Sequence, residues 1–132
     1  IDRRFLVEED LGDVKSEVTG ILRELETSRE GFRYEIRDML EVIPSMTKRD
    51  APVVVATTEA IEEVLGKTPD LVCSPGTYDQ KHIDRIGNLQ DCIAYGPGIL
   101  ELAHQPDEYV AVEDMVNAAK VMASSAYKLL MK

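Results

Sequence analysis

The chain has 132 residues, of which 44% are hydrophobic and 30% are charged, and its formal net charge is −10 at pH 7. This length suits one domain or two small lobes, and the apolar fraction is sufficient for a hydrophobic core. The acidic composition argues against a nucleic-acid partner, because phosphates require Lys and Arg. No apolar run approaches the ~18 residues of a membrane span and no signal peptide is visible, so we expect a cytoplasmic protein without a membrane partner.

The first 43 residues predict a β-α-β unit. Residues 1–7 have the pattern of a strand. Apolar and charged side chains alternate from Phe32, change phase near Asp38 and Met39, and alternate again toward Ile43, which is typical of a half-buried second strand. Between them, apolar residues recur on one face of a 3.6-residue repeat from Leu11 to Ser28, which predicts a helix. Such a helix can supply the right-handed crossover between parallel strands. The polar segment 44–50 is predicted to be a linker.

Two helices are expected at the two ends of the second half of the chain. Asp50 can cap the first of them, Pro52 lies in its first turn, and Gly66 ends it. The other helix is long and covers residues 113–131. Its packing side is predicted to consist of Val116, Ala119, Met122, Ala123, Ala126 and Leu130.

Two short strands and a short helix are predicted between these helices. The strands cover residues 71–73 and 92–95, and the short helix ends near Ile86. This order of elements indicates α/β layering with a largely parallel sheet. Cys73 and Cys92 lie in the apolar runs, so two buried thiols are expected rather than a disulfide or a metal-binding pair.

Two loops follow the predicted strands, one from Ser74 and one from Gly96, and in open α/β sheets ligands bind at such strand ends. Glycine and proline in both loops let backbone amides approach a ligand closely. We therefore expect one cleft in which Thr77 donates hydrogen bonds, Lys81 supplies charge and His104 binds a metal. Taken alone, a histidine beside turns is more often a surface or structural residue, and a Gly-Pro-Gly sequence is most often only a turn.

A complete catalytic metal centre is not expected from this chain alone. A catalytic zinc takes about three protein ligands, and a two-metal site takes more. The chain has only two histidines, His82 and His104. His82 begins one His-x-Asp triplet, which ends at Asp84, and there is no His-x-x-x-His pair. Its many carboxylates are predicted to lie mainly on exposed helix faces. No catalytic residue is therefore predicted in this chain.

Four segments, in this order, resemble the C-terminal part of one family of metal-dependent amidohydrolases and peptidases. They are Ile-Asp-Arg-Arg at 1–4 before the acidic helix, Gly-Thr-Tyr-Asp-Gln-Lys at 76–81, Tyr-Gly-Pro-Gly at 95–98, and Ala-His-Gln-Pro-Asp-Glu-Tyr-Val at 103–110. The last segment is the most specific, because it is eight residues long and precedes the expected long helix. The family includes acetylornithine deacetylase, succinyl-diaminopimelate desuccinylase, aminoacylase and glutamate carboxypeptidase.

The resemblance implies an α/β fold class. Residues 1–45 would be the second half of an α+β lid, or dimerisation, domain, and residues 46–132 the C-terminal part of a catalytic sheet domain. The full-length enzyme would be a homodimer with two Zn²⁺ or Co²⁺ ions per subunit, and metal-activated water would hydrolyse a small N-acyl amino acid or a related amide. In that family, the bridging Asp, the general-base Glu and most metal ligands lie in an amino-terminal segment absent here, so this chain alone is expected to be inactive.

The resemblance also implies roles for individual residues. His104 corresponds to a ligand of the second metal. Thr77 and Lys81 match positions that contact substrate, with Lys81 standing where arginine is common, and Gly98 would offer its backbone amide. Arg4 matches an arginine that reaches substrate in some members. The alternative is a non-catalytic α/β module for dimerisation or interaction.

Overall fold

Residues 1–74 and 78–131 are described by the computed structural model, in which the chain forms two compact units, Ile1–Met46 and Thr47–Lys132. The helices are α1 (Leu11–Ser28), α2 (Pro52–Leu65), α3 (Gln80–Gly87) and α4 (Val112–Leu130), with a short 3-10 helix at Leu100–Leu102. The four helices that the sequence predicts are confirmed. Within the described ranges, no helix combines the length and the apolar character needed to cross a membrane.

Helix α1 is the only regular element in the described residues of the first unit. Asp10 caps it, since its carboxylate accepts hydrogen bonds from the backbone N–H groups of Gly12, at 2.7 Å, and Asp13, at 3.2 Å. This cap satisfies two of the four N–H groups that have no partner inside a helix. Val14 is the buried residue of the helix.

The predicted strands are absent, and the predicted α/β and α+β fold classes are therefore wrong for this structure. No β-strand occurs in the described residues, including 1–7, 32–43, 71–73 and 92–95. Alternating side chains define two faces of a segment, but a strand exists only when a neighbour accepts and donates its backbone hydrogen bonds. Among the apolar members of the alternation, Phe32 and Tyr34 are half-buried, whereas Ile36 and Leu40 are 47% and 82% exposed.

Side-chain ion pairs, rather than a sheet, connect the irregular segments of the first unit to α1. Lys15 on α1 pairs with Asp38, at 3.0 Å, and with Glu41. Arg3 pairs with Glu9 at 2.8 Å and with Glu17 on α1 at 3.1 Å. These contacts are exposed and easily screened by salt, so they specify the arrangement only weakly.

The core of the second unit lies between α2 and α4. Ala60 and Ile61 of α2 and Val121 of α4 are its buried residues, and Val64, Leu65 and Tyr95 pack against them. Ala60 and Val121 are 0% exposed, and small side chains at such positions let two helices approach closely.

The packing side of α4 differs from the predicted one. The buried residues of α4 are Ala118, Val121 and Ser125, whereas Val116 and Met122 are 49% and 48% exposed. Helix α4 has apolar side chains on more than one face, and the periodicity alone does not decide which face α2 contacts. A second, exposed apolar stripe on α4 consists of Val112, Met115, Val116, Met122 and Leu130.

The two ends of α2 show which of the predicted start and stop signals are used by this helix. Pro52 occupies the first turn and Gly66 ends the helix with a left-handed φ of 67°, as predicted. The predicted cap is wrong, because Ala51 stands at the N-cap and no side chain bonds there.

The expected burial of both thiols is also wrong, since Cys73 is exposed and Cys92 half-buried, although both are free. Without a sheet around it, the run at 71–73 is not covered.

Candidate functional site

The segment between Tyr95 and α4 is anchored to the second unit at its start. Tyr95 packs against the buried α2–α4 core, and this burial raises the pKa of its phenol. Gly98 has a φ of 105°, a conformation that non-glycine residues rarely adopt. A Cβ at Gly98 would lie 3.9 Å from Cγ2 of Val110, so the Gly-Pro-Gly turn lies beside the residues that lead into α4.

His104 lies in a tightly hydrogen-bonded turn within this segment. Its own φ is 64°, in the left-handed region, and so is that of Asp107. The N–H of Gln105 donates to the carbonyl of Leu102 at 3.0 Å, and the N–H of Glu108 donates to the carbonyl of Gln105 at 3.3 Å. The N–H of His104 donates to Oε2 of Glu108 at 3.0 Å.

The backbone of His104 is therefore held in a conformation that it would not adopt readily by itself. A left-handed conformation costs about 1–2 kcal/mol for a residue with a Cβ, although His, Asn and Asp tolerate it better than most. Such conformations cluster at functional sites, where the surrounding contacts over-determine them. The side chain is exposed, so the turn presents an imidazole to solvent.

A polar cluster around Thr47 lies at the start of α3, next to Lys81 in the sequence. The Nε2 of Gln80 donates to the hydroxyl of Thr47 at 2.8 Å. That hydroxyl donates toward two backbone carbonyls, those of Gln90, at 2.9 Å, and Cys92. It also accepts a hydrogen bond from the backbone N–H of Cys92 at 3.4 Å. The cluster thus connects the beginning of α3 to the segment that leads to Tyr95. Lys81 follows Gln80 directly and is half-buried.

The predicted site residues that the structure describes lie in separate segments of the chain. Gly98 and His104 share the segment before α4, and Lys81 lies in the first turn of α3. Thr77 lies outside the described residues. Arg4 belongs to the first unit, where its Nε lies 3.6 Å from the carboxylate of Asp2. Their roles in binding substrate or metal stay predictions.

His104 can supply one ligand to a metal ion, because it is an exposed imidazole on a fixed backbone. Among residues 1–74 and 78–131, however, no three or more His, Cys, Asp or Glu side chains gather in a way that could hold a metal ion. A complete donor set is thus not assembled by these residues.

Thr47, Gln80 and Glu108 were not among the predicted site residues. Glu108 had a signal in the sequence, because it closes the Pro-Asp-Glu turn four residues after His104. Gln80 is adjacent to Lys81 and lies in the same Gly-Thr-Tyr-Asp-Gln-Lys segment from which Lys81 was predicted. Thr47 had no such signal in the sequence. It lies in a polar segment more than thirty residues from Gln80, and the two residues come into contact only when the chain folds.

Comparison with known proteins places these segments in a family. The profile of Peptidase family M20/M25/M40 matches residues 5–128. A succinyl-diaminopimelate desuccinylase of Hydrogenovibrio crunogenus is 29% identical over 99 residues, which cover 75% of this chain and 25% of that protein. The corresponding enzyme of Thiobacillus denitrificans is 34% identical over 100 residues, covering 76% of this chain and 24% of that protein.

An acetylornithine deacetylase of Myxococcus xanthus is 33% identical over 103 residues, which cover 78% of this chain and 25% of that protein. The chain thus spans about a quarter of the length of these relatives. No solved structure matches it significantly. Because the family profile covers most of its length, the chain belongs to peptidase family M20/M25/M40.

Proposed function

We propose that this chain is the C-terminal portion of a metal-dependent amidohydrolase that cleaves a small N-acyl amino acid or a related amide. Its family membership and the names of its relatives, desuccinylases and a deacetylase, support this reaction class. The chain spans only a quarter of those relatives, so hydrolysis belongs to the complete enzyme and not to these residues alone. The chain contributes one metal ligand and part of the substrate site.

His104 is the proposed metal ligand, and the geometry of its turn carries the proposal. The backbone is left-handed at this non-glycine residue, and the carboxylate of Glu108 accepts its N–H at 3.0 Å. A Zn²⁺ or Co²⁺ ion, two per subunit in the complete enzyme, would polarise the amide carbonyl and activate water when bound. The remaining ligands, the bridging carboxylate and the general base would come from outside this chain.

The proposed substrate-binding groups recognise a carboxylate and an amide. The ammonium of Lys81 would balance a substrate carboxylate as a point charge, because lysine lacks the planar fork with which arginine binds both oxygens. The backbone N–H of Gly98 and the hydroxyl of Thr77 would donate hydrogen bonds. Arg4, from the proposed lid half at residues 1–45, would add a second cation. In this scheme residues 46–132 belong to the catalytic domain of a cytoplasmic homodimer.

The exposed apolar stripe on α4 supports the assignment of this chain to a larger enzyme. Its members lie on one side of α4, as on a helix face that packs against protein. They are exposed even though α4 buries another face against α2. Contiguous apolar surface of this kind usually marks an interaction site.

Metal content and activity of the longest natural polypeptide that contains these residues test the proposal. We expect His104→Ala to lose about one metal equivalent per subunit and to lower hydrolysis of N-acetyl and N-succinyl amino acids by roughly 100-fold or more. His82→Ala is the matched control, because it removes the other histidine, and it should retain metal content and activity.

Unchanged metal content and activity in His104→Ala would contradict the proposed role of this residue. A protein that takes up no metal and hydrolyses no substrate in any variant would favour the alternative, a non-catalytic interaction module. The exposed stripe on α4 fits that alternative as well, so the histidine variants, and not the stripe, separate the two functions.

A further inference from the structure

We propose that Glu108 is a positioning residue for His104, because its carboxylate holds the backbone of the histidine in the left-handed conformation. The inference extends the proposed function, since a metal ligand needs a defined direction as well as the right side chain. Its structural part, which concerns only the backbone of His104, can be tested without any metal.

The hydrogen bond from His104 N–H to Oε2 of Glu108 closes the turn across four residues at 3.0 Å. The chain turns over residues 105–108, where the N–H of Glu108 donates to the carbonyl of Gln105 at 3.3 Å and Asp107 is also left-handed, with a φ of 64°. A negatively charged acceptor makes the bond stronger than a neutral one would. Both left-handed residues therefore belong to one small ring that the glutamate side chain completes.

The conformation of the backbone at residue 104 determines where the imidazole can lie. The φ and ψ angles fix the direction of the Cα–Cβ bond relative to the preceding turn. Release of the N–H would let residue 104 relax to the β or right-handed region, which residues with a Cβ prefer. The imidazole would then leave its position, although no atom of the side chain had been changed.

A direct chemical role is the competing explanation for Glu108. As a metal donor or a general acid, it would need its negative charge or its proton. As a positioning residue, it needs only an oxygen that accepts an N–H. Glu108→Gln separates the two, because the amide keeps an acceptor oxygen and loses the charge. Glu108→Ala removes the acceptor as well.

Amide hydrogen exchange, measured by NMR on the 132-residue chain, tests the structural part. We expect Glu108→Ala to speed exchange at His104 by about 10-fold or more, the change expected when one charge-assisted hydrogen bond is lost. Glu108→Gln should stay within about 3-fold of the wild type, because its acceptor is retained. Glu101→Ala is the matched control, since it removes an exposed carboxylate from the same segment. Exchange at Val121 reports whether the α2–α4 core remains folded in each variant.

Titration of the longest natural polypeptide that contains these residues with Co²⁺, followed by the NMR shifts of the histidine side chains, tests the consequence for metal binding. The perturbation that is lost in His104→Ala should weaken in Glu108→Ala and persist in Glu108→Gln. Equal exchange at His104 in the wild type and Glu108→Ala would overturn the positioning role, and so would a Glu108→Gln variant as impaired as Glu108→Ala. A perturbation unaffected by His104→Ala would instead overturn the proposed function, while the exchange result still decided the role of Glu108 on the backbone.

Discussion

The Nζ of Lys128 on α4 lies 2.6 Å from Oε1 of Glu63 on α2 and 3.4 Å from Oε2 of Glu59, which is one turn earlier on α2. The hydroxyl of Ser124 also donates to the carboxylate of Glu63, at 3.1 Å. Two consecutive turns of α4 thus bind the same carboxylate. This polar contact lies between the same two helices as the apolar core and adds to their packing.

The Lys128–Glu63 pair predicts a pH dependence of stability with two limits. The hydrogen bond from Lys128 lowers the pKa of Glu63 from 4.5. The ionised carboxylate of Glu63 therefore contributes to folding stability above that pH, and this contribution is lost as the pH falls through the lowered pKa. The bond to Glu63 raises the pKa of Lys128 from 10.5, so its contribution is present below that value and is lost as the pH rises through the raised pKa.

We therefore expect Lys128→Met to lower the urea midpoint modestly between these limits, and less at either extreme or in high salt. Urea unfolding at several pH values measures the effect. Lys120→Met is the control, because it removes an exposed cation from the same helix. A Lys128→Met profile identical to that of Lys120→Met at every pH would show that the pair does not stabilise the contact.

The two faces of α4 predict different costs for the same truncation. Val121→Ala should lower the free energy of unfolding of the 132-residue chain by about 2 kcal/mol, because Val121 is 0% exposed in the core. Val116→Ala should change it by less than about 0.5 kcal/mol, since this side chain is 49% exposed. Urea unfolding distinguishes them. A larger loss for Val116→Ala would contradict the observed packing and favour the face that the sequence predicts.

The Gly-Pro-Gly turn predicts a difference between its two glycines. Gly98→Ala should lower the free energy of unfolding by about 1–3 kcal/mol, because a residue with a Cβ is strained at a φ of 105°. Gly96 lacks a positive φ and has open space where a Cβ would lie, so Gly96→Ala should stay within about 0.5 kcal/mol. Thermal unfolding, with the NMR shifts of Val110 as a local probe, measures both. Equal losses of stability in Gly98→Ala and Gly96→Ala would argue against the left-handed conformation at Gly98.

The hydroxyl of Thr47 is predicted to hold the start of α3 in place. Thr47→Val keeps the shape but removes the group that binds Gln80, Gln90 and Cys92, so we expect a loss of about 1 kcal/mol and faster amide exchange at Cys92. Thr47→Ser retains the hydroxyl and should behave much like the wild type. Exchange at Cys92 that is unchanged in Thr47→Val would show that this cluster does not position the segment.

The helices could be predicted from the sequence because their signals are local. The limits of α1 and α2 follow from apolar residues repeated within one or two turns and from stop signals such as Gly66. The strands could not, because a strand depends on a partner elsewhere in the chain. The alternation at residues 32–43 describes two faces, and no neighbouring strand uses them in the described structure.

The candidate site was predictable in part for a similar reason. The Gly-Pro-Gly and Pro-Asp-Glu sequences correctly indicated turns around His104, since turn residues act through their own backbone preferences. The left-handed φ at His104 and its bond to Glu108 are properties of the closed turn, and no residue type alone specifies them.

By itself, the sequence determined where the helices lie, where the chain turns and which family motifs it carries, because these depend on neighbours within a few residues. Only the tertiary structure decided which face of α4 is buried and which hydroxyl connects α3 to the segment before Tyr95. Those outcomes depend on distances between residues far apart in the chain, and many arrangements satisfy the same local pattern.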